Sequence, residues 1–217
     1  GPRKGSLIEE PVAAALGAGL DLSVPRGRFI LDMGGGTTDI AVLSLNGIVC
    51  KKSIKLAGRK LDEAIVRCVR TDRNVLIGEK MAERIKIQVG SVFYTEDKEM
   101  EAKGRNLHTG LPEKFVIRTS DIYDALMEQV MQIVTAVQQI LEITPPELSA
   151  DIWEDGLIMT GGGALLHGLG DLISQHAKIK VRLAEHPVEC VAIGTALSFS
   201  KLDELYDGFV TPSTHTH

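Results

Sequence analysis

The residues best suited to chemistry in this 217-residue chain lie in the stretch Asp32-Met33-Gly34-Gly35-Gly36-Thr37-Thr38-Asp39. Consecutive glycines leave backbone N–H groups uncovered by any Cβ and make positive φ cheap, so such a turn lets bare backbone approach an anion. What surrounds the triplet decides its class. In a dinucleotide fold or a P-loop the glycines open a helix. Here the apolar run Phe29-Ile30-Leu31 precedes them, and the β-rich run from Thr37 to Leu45 follows and leads into Asn46-Gly47, a type I′ hairpin signal. The reading is a strand-turn-strand phosphate loop.

A second triplet stands in Thr160-Gly161-Gly162-Gly163-Ala164, after the buried-strand pattern Gly156-Leu157-Ile158-Met159. Leu165, Leu166, Leu169, Leu172 and Ile173 continue at helical spacing, so strand, loop and helix come in the order that rests an anion or nucleoside near a helix N-terminus. Either triplet taken singly is equally a tight turn. Glu10 is the third candidate. Glu9-Glu10-Pro11 leads from Leu7-Ile8, which reads as a strand end, into Val12-Ala13-Ala14-Ala15-Leu16, a helix that Gly17 and Gly19 end. Its carboxylate has two readings: an acid favoured by the helix dipole, or a group aimed into a cleft.

The elements that must position these groups form an α/β chain. Arg28 to Leu31, Thr38 to Leu45 and Ile48 to Leu56 read as a β-meander, and from Lys60 the period changes, with Leu61, Ala64, Ile65, Cys68 and Val69 on one helical face. From Thr71 to about Thr119 the chain is more charged and more often broken by glycine. Glu79 to Val89 fits an amphipathic helix there, with short strands near Glu99 to Ala102 and Phe115 to Arg118, and the whole reads as an inserted subdomain. Thr119-Ser120-Asp121 then caps a long helix with apolar positions 122, 126, 130, 133, 137 and 140, stopped by Pro145-Pro146. Lys178 to Leu183 reads as a strand, and Cys190 to Leu202 as a closing helix in which Gly194 permits close packing.

Composition narrows the classes. With 24 basic against 29 acidic residues, a net charge of -5 and no basic cluster, no nucleic-acid footprint is expected. Cys50, Cys68 and Cys190 follow no metal spacing and read as small apolar residues in a reducing, cytoplasmic compartment. No apolar run reaches the roughly 18 to 20 residues of a membrane span. Gly1-Pro2 resembles a protease-cleavage scar, and Thr211 to His217 lacks periodicity, so both ends are set apart as tag-like or flexible.

Two triplets after buried strands, together with the Glu10-Pro11 corner, are far more specific than any one of them. In these, and in Leu7 to Ala15, Ile77-Gly78-Glu79, Ala82-Glu83-Arg84-Ile85-Lys86, Gly104-Arg105, Pro145-Pro146-Glu147-Leu148 and the continuation Leu165-Leu166, the chain resembles the actin-like ATPases. Within them it is similar to the bacterial MreB and Mbl cell-shape family over almost its whole length.

The resemblance implies a ribonuclease H-like, actin-type second lobe. Residues 7–72 and 120–208 would form subdomain IIA and residues 73–119 the inserted subdomain IIB, with 1–6 and 209–217 outside. It implies ATP and Mg2+ as cofactors: Asp32, Gly34, Gly35, Gly36, Thr37 and Thr38 around the phosphates, Gly161, Gly162, Gly163, Ala164 and Leu165 beside the nucleoside, and Glu83, Arg84, Ile85 and Lys86 toward the adenosine. Asp32 would act on the magnesium through water, while Glu10 and Thr37 position the attacking water. The residues themselves leave Glu83 and Lys86 open to another reading, an ion pair on a solvated helix face.

The same resemblance implies self-association into protofilaments and a link to the cell-wall elongation machinery. It places the whole protein in the cytoplasm at the inner face of the membrane, held there by another lobe. No Asp-Leu-Gly-Thr phosphate loop of that first lobe occurs in these residues, so weak ATP binding and no turnover are expected of this chain by itself. Arg59 departs from the family pattern, standing after Ala57-Gly58 where aspartate is expected, and Met33 stands where isoleucine or leucine is usual. Other readings are a non-catalytic interaction module of the same fold, or a lobe of an Hsp70-type chaperone or sugar kinase.

Overall fold

The computed structural model describes residues 8–210. Five strands form the main sheet in the order β3-β2-β1-β7-β8, from β1 (Arg28–Met33), β2 (Thr38–Ser44), β3 (Gly47–Ile54), β7 (Leu157–Thr160) and β8 (Val181–Leu183). The β1-β2-β3 meander is antiparallel, and β7 joins β1 in parallel, with β8 parallel beyond it. The inner strands β1, β2 and β7 are almost wholly buried, which fits their near-continuous Ile, Leu, Val and Met content.

Alternation along these strands divides the core. Phe29, Leu31, Met33, Ile40, Val42, Leu157 and Met159 face one apolar layer with helices α2 (Gly58–Arg73), α4 (Thr119–Ile143) and α6 (Leu169–Ala177). Ile30, Ala41, Leu43 and Ile158 face a second, smaller layer, against Ala14 and Ala15 of α1 (Glu10–Gly17) and Cys190 at the start of α7 (Cys190–Val210). All six apolar positions expected along α4 are buried. Complete burial of such a side chain contributes about 1.5–3 kcal/mol.

Helices α1 and α7 cross at glycine. A Cβ on Gly194 would overlap the Ala13 carbonyl, and one on Gly17 would overlap the Cys190 carbonyl, so backbone packs directly on backbone. Helix α5 (Pro146–Asp155), which the sequence reading passed over as a proline stop, is tied to the start of β1 by ion pairs of Arg26 with Asp151, Glu154 and Asp155.

A second sheet joins β4 (Val75–Leu76), β5 (Glu99–Asn106) and β6 (Pro112–Arg118), all antiparallel, with α3 (Glu79–Val89) packed on it. Its buried residues Val75, Ile77, Ala82, Ile85, Ala102 and Ile117 merge into the larger apolar layer. Two-residue β4 is too short to show a period.

Several local expectations shift. The hairpin turn falls on Leu45 and Asn46, both at positive φ (49° and 61°), one residue earlier than Asn46-Gly47. Ser44 pairs with Gly47, and a bulge between Val42 and Leu43 resets the register. Gly162–Leu165 forms a short 3-10 turn instead of opening the helix, which starts only at Leu169 after Gly168 in the left-handed region (φ 83°). Lys178 also takes a left-handed conformation, so β8 begins at Val181 and not at Lys178. The long helix starts after Arg118, whose N–H donates to Asp121 at 2.8 Å, so Asp121 and not Thr119 closes its first turn. Ile8 lies outside any strand, and Leu7 is outside the described residues. Cys190 is buried, whereas Cys50 and Cys68 are only partly so. No helix among the described residues is long and apolar enough to cross a membrane.

Candidate functional site

The site grows from strand register. Asp39 of β2 pairs with Asp32 of β1, Asp32 pairs with Thr160 of β7, and Asp39 pairs in turn with Ser53 of β3. Register partners project to the same face of a sheet, so Ser53, Asp39, Asp32 and Thr160 form one polar row across four strands. This is the face shared with Ile30 and Ala41, the face that α1 covers. The Thr160 hydroxyl donates to Asp32 Oδ1 at 2.8 Å, and the Ser53 hydroxyl donates to Asp39. Each carboxylate thus has a hydroxyl neighbour of its own.

Glu10, at the N-terminus of α1, completes the group. One carboxylate oxygen from each of Glu10, Asp32 and Asp39 lies within 4.8 Å of the other two. Glu10 is exposed while both aspartates are buried. Burial, reinforced by Asp39 and Glu10 and opposed by the Thr160 hydrogen bond, pushes the Asp32 carboxyl above its ordinary value. Three clustered carboxylates in partly dry surroundings repel one another unless a proton or a cation intervenes. Hard oxygen donors of this kind suit Mg2+, which keeps several of its waters.

The first glycine turn is held from behind. Gly34 N–H donates to Thr37 O at 3.0 Å, and the N–H groups of Gly58 and Arg59, at the start of α2, donate to Gly34 O and Gly35 O at 3.3 and 3.1 Å. The turn's carbonyls therefore cap a helix that has no side-chain cap. Carbonyls of Gly34 and Gly35 are committed backward, and among the described residues the N–H groups of Gly35, Gly36 and Thr37 meet no acceptor. Thr37 is exposed, and Thr38 is buried with its hydroxyl donating to Leu56 O at 2.6 Å.

The second turn sits beside the first because β1 and β7 are parallel neighbours ending together, the position at which open α/β sheets accept ligands. Gly161 has φ 87°, and a Cβ on it would overlap Met33 O and stand 3.0 Å from Asp32 Oδ1, so only glycine fits. Gly163 packs on the Met33 side chain, Ala164 is buried and Leu165 is exposed.

Helix α3 contributes differently. Glu83 and Arg84 are exposed, Ile85 is wholly buried, and the Lys86 ammonium is 2.8 Å from Asp62 Oδ1 and 3.2 Å from Gly58 O. Lys86 thus reaches α2, where the Gly58 N–H is held by the first glycine turn, and its ion pair is with Asp62. Asp39, Ser53 and Thr160 were not singled out as site residues. The signal for Asp39 lies in the hairpin itself: a four-residue turn over 34–37 makes Asp32 and Asp39 symmetric about that turn. Ser53 and Thr160 follow only from the pairing of distant strands.

This arrangement of sheets, helices and glycine turns has the fold of an actin-type lobe. The same fold occurs in the MamK double helical filament, at 23% identity and a TM-score of 0.72 over 89% of this chain and 58% of that one. The MreB/Mbl protein family profile matches residues 1–207, and the chain belongs to that family. It is 48% identical over 200 residues to the cell shape-determining protein Mbl of Bacillus cereus, and 46% identical over 204 residues to the cell shape-determining protein MreB of Escherichia coli. These matches cover 92% and 94% of this chain but 60% and 59% of the relatives, so the chain spans about three-fifths of their length. MreB5 of Spiroplasma citri bound to ADP aligns at 35% identity and a TM-score of 0.88, over 92% of this chain and 61% of that one.

Proposed function

We propose that this chain is the nucleotide-binding lobe of an ATP-dependent, filament-forming cell-shape protein. The observation that carries the reading is the meeting of the two glycine turns at the ends of β1 and β7, beside the Glu10, Asp32 and Asp39 carboxylates. The ADP and AMPPNP seen with MreB5 of Spiroplasma citri support the choice of ligand.

In this reading Gly35, Gly36 and Thr37 offer backbone donors to the phosphates, Gly34 closes the turn through its own hydrogen bond to Thr37, and Thr38 fixes the turn through Leu56. Asp32 would hold Mg2+ through water, with the Asp39 carboxylate beside it. The metal neutralises phosphate charge when bound, the chief demand of phosphoryl transfer. Glu10 and Thr37, the exposed members, position the attacking water. Gly161 to Leu165 line the nucleoside side, with Glu83 and Arg84 toward the adenosine, Ile85 anchoring their helix and Lys86 linking it to the phosphate turn. Residues 73–119 act as a smaller inserted subdomain on the body formed by 7–72 and 120–208.

The whole protein self-associates into protofilaments, works with the cell-wall elongation machinery and lies in the cytoplasm at the inner face of the membrane. Titration of this chain with Mg-ATP, followed through its amide NMR signals, tests the site. Shifts at both 34–38 and 161–165, even at millimolar ligand, are expected. Absence of response at both turns would overturn the reading and favour a non-catalytic interaction module.

A further inference from the structure

We propose that Arg59 is a phosphate-binding residue, a guanidinium seated on the first glycine turn to receive the terminal phosphates of the nucleotide. The inference rests on the nucleotide-binding reading above and adds a fixed cation to it.

Arg59 is the second residue of α2, and its backbone N–H and its Nε both donate to Gly35 O, at 3.1 and 3.2 Å. This double attachment fixes the guanidinium over the turn. Its Nη2 lies 2.8 Å from the place a Cβ on Gly36 would take, so glycine at 36 makes room for the arginine. Among the described residues no carboxylate pairs with Arg59, and its Nη groups meet no acceptor. A guanidinium anchored through Nε alone keeps the rest of its donor fork for a ligand, and that fork matches phosphate oxygens.

The charge balance of the site points the same way. Glu10, Asp32 and Asp39 gather three carboxylates next to a turn whose free N–H groups suit an anion. A polyphosphate approaching them meets repulsion that a nearby cation offsets. An acidic residue at position 59 would add a fourth negative charge. Arginine there reverses the sign while the backbone capping of the turn stays in place.

Arg59 could serve instead as a brace, its Nε merely stiffening the turn. The two roles separate when phosphate and nucleoside are offered apart. The chain is titrated with inorganic tripolyphosphate and, separately, with adenosine, following amide signals of 34–37 and 161–165 at low and physiological salt. For Arg59→Gln the expected result is a tripolyphosphate Kd about fivefold or more weaker than the parent's, the order of an exposed charge-assisted hydrogen bond. Its dependence on salt should be shallower, and its adenosine response unchanged. Arg59→Lys keeps the charge and should fall between the two. Equal tripolyphosphate affinity in parent and Arg59→Gln, or no response of the parent to tripolyphosphate, would overturn the proposal. In those cases a surviving adenosine response at 161–165 leaves nucleotide binding standing, whereas silence toward both probes removes both readings.

Discussion

The Thr160 hydroxyl donates to Asp32 across the parallel β1-β7 pair at 2.8 Å, joining the carboxylate beside one glycine turn to the last strand residue before the other. Both residues are buried, and Asp32 is held above the ordinary carboxyl range chiefly by that burial. Thr160→Val keeps the shape and removes the donor. It should cost about 1–3 kcal/mol in urea unfolding at neutral pH, the range for a buried polar group left unpaired. In Asp32→Asn, where no charge is buried, the same Thr160 change should cost less. Equal costs in the two backgrounds would show that the hydrogen bond to the charge is not what Thr160 contributes.

Much of this could be read from the chain because the two triplets follow strands whose apolar runs are unmistakable, and because α4 keeps helical spacing over seven turns. The place of Asp32 at a strand end was legible for that reason, and that of Glu10 at a helix start from the proline that follows it. Other features depend on partners far away in sequence. Asp39 gains its role from hairpin register and Thr160 from a strand pairing more than a hundred residues distant. The Leu45-Asn46 turn displaced the expected Asn46-Gly47 because register is shared with the Val42/Leu43 bulge, which no local signal marks. Helix α5 hid behind Pro145-Pro146, since proline both stops one helix and opens the next.

Packing at α1 should control the position of Glu10. The Gly194–Ala13 crossing leaves no room for a methyl group, and a backbone carbonyl has no alternative rotamer. Gly194→Ala should therefore destabilise by about 3 kcal/mol, in the upper range of overpacking. It should also raise amide exchange in α1 and α7 more than in β1. Protection of α1 equal to the parent's would show that the crossing relaxes without moving Glu10.

In the whole-length protein, Glu10→Ala and Thr37→Ala should slow ATP hydrolysis strongly, by about 100-fold or more if they position the water, while nucleotide affinity changes little. Asp32→Ala should weaken magnesium-dependent binding as well. Steady-state turnover beside equilibrium titration separates these effects. Hydrolysis at the parent rate in Glu10→Ala would remove it from the mechanism.

Residues 73–119, proposed as a smaller subdomain, should show lower exchange protection than the five-stranded sheet. Their sheet has only three strands, one of them two residues long. A single cooperative unit with uniform protection is the outcome that the shared apolar layer would favour instead.

Acid should loosen α5 first. Hydrogen bonds from Arg26, aided by its charge and that of Arg28, hold the Asp155 carboxyl below the usual carboxylate range. A depressed folded-state value means that the ionised form is the one folding favours. The stabilisation is present above the unfolded value near 3.9 and is lost as pH falls through the lower folded value. Because the group is largely exposed, the effect on stability should be small. The expected observation is an Asp155→Asn chain less stable than the parent at pH 6, by a margin that narrows toward pH 2. A constant difference between the two pH values would assign the loss to packing.

Lys86 offers the sharpest separation between a structural and a ligand-facing role. Its ammonium and the Asp62 carboxylate are 2.8 Å apart, with side-chain exposures of 15% and 13%, so each is the other's principal charge partner away from bulk water. Burial pushes the Asp62 carboxyl upward, and the Lys86 hydrogen bond and charge pull it back. Lys86→Met keeps the stem and removes the charge, leaving Asp62 buried and unpaired. The cost should be about 2–4 kcal/mol at pH 7. With the cation gone the folded-state value of Asp62 rises further, so the penalty applies above that raised value. It should shrink as pH falls toward the unfolded value, where Asp62 is protonated in both states. Adding Asp62→Asn to Lys86→Met should recover much of the loss at neutral pH. If Lys86→Met instead left urea unfolding unchanged and weakened only the response to adenosine at 161–165, Lys86 would be a nucleoside contact and the α2-α3 tie would rest on apolar packing alone.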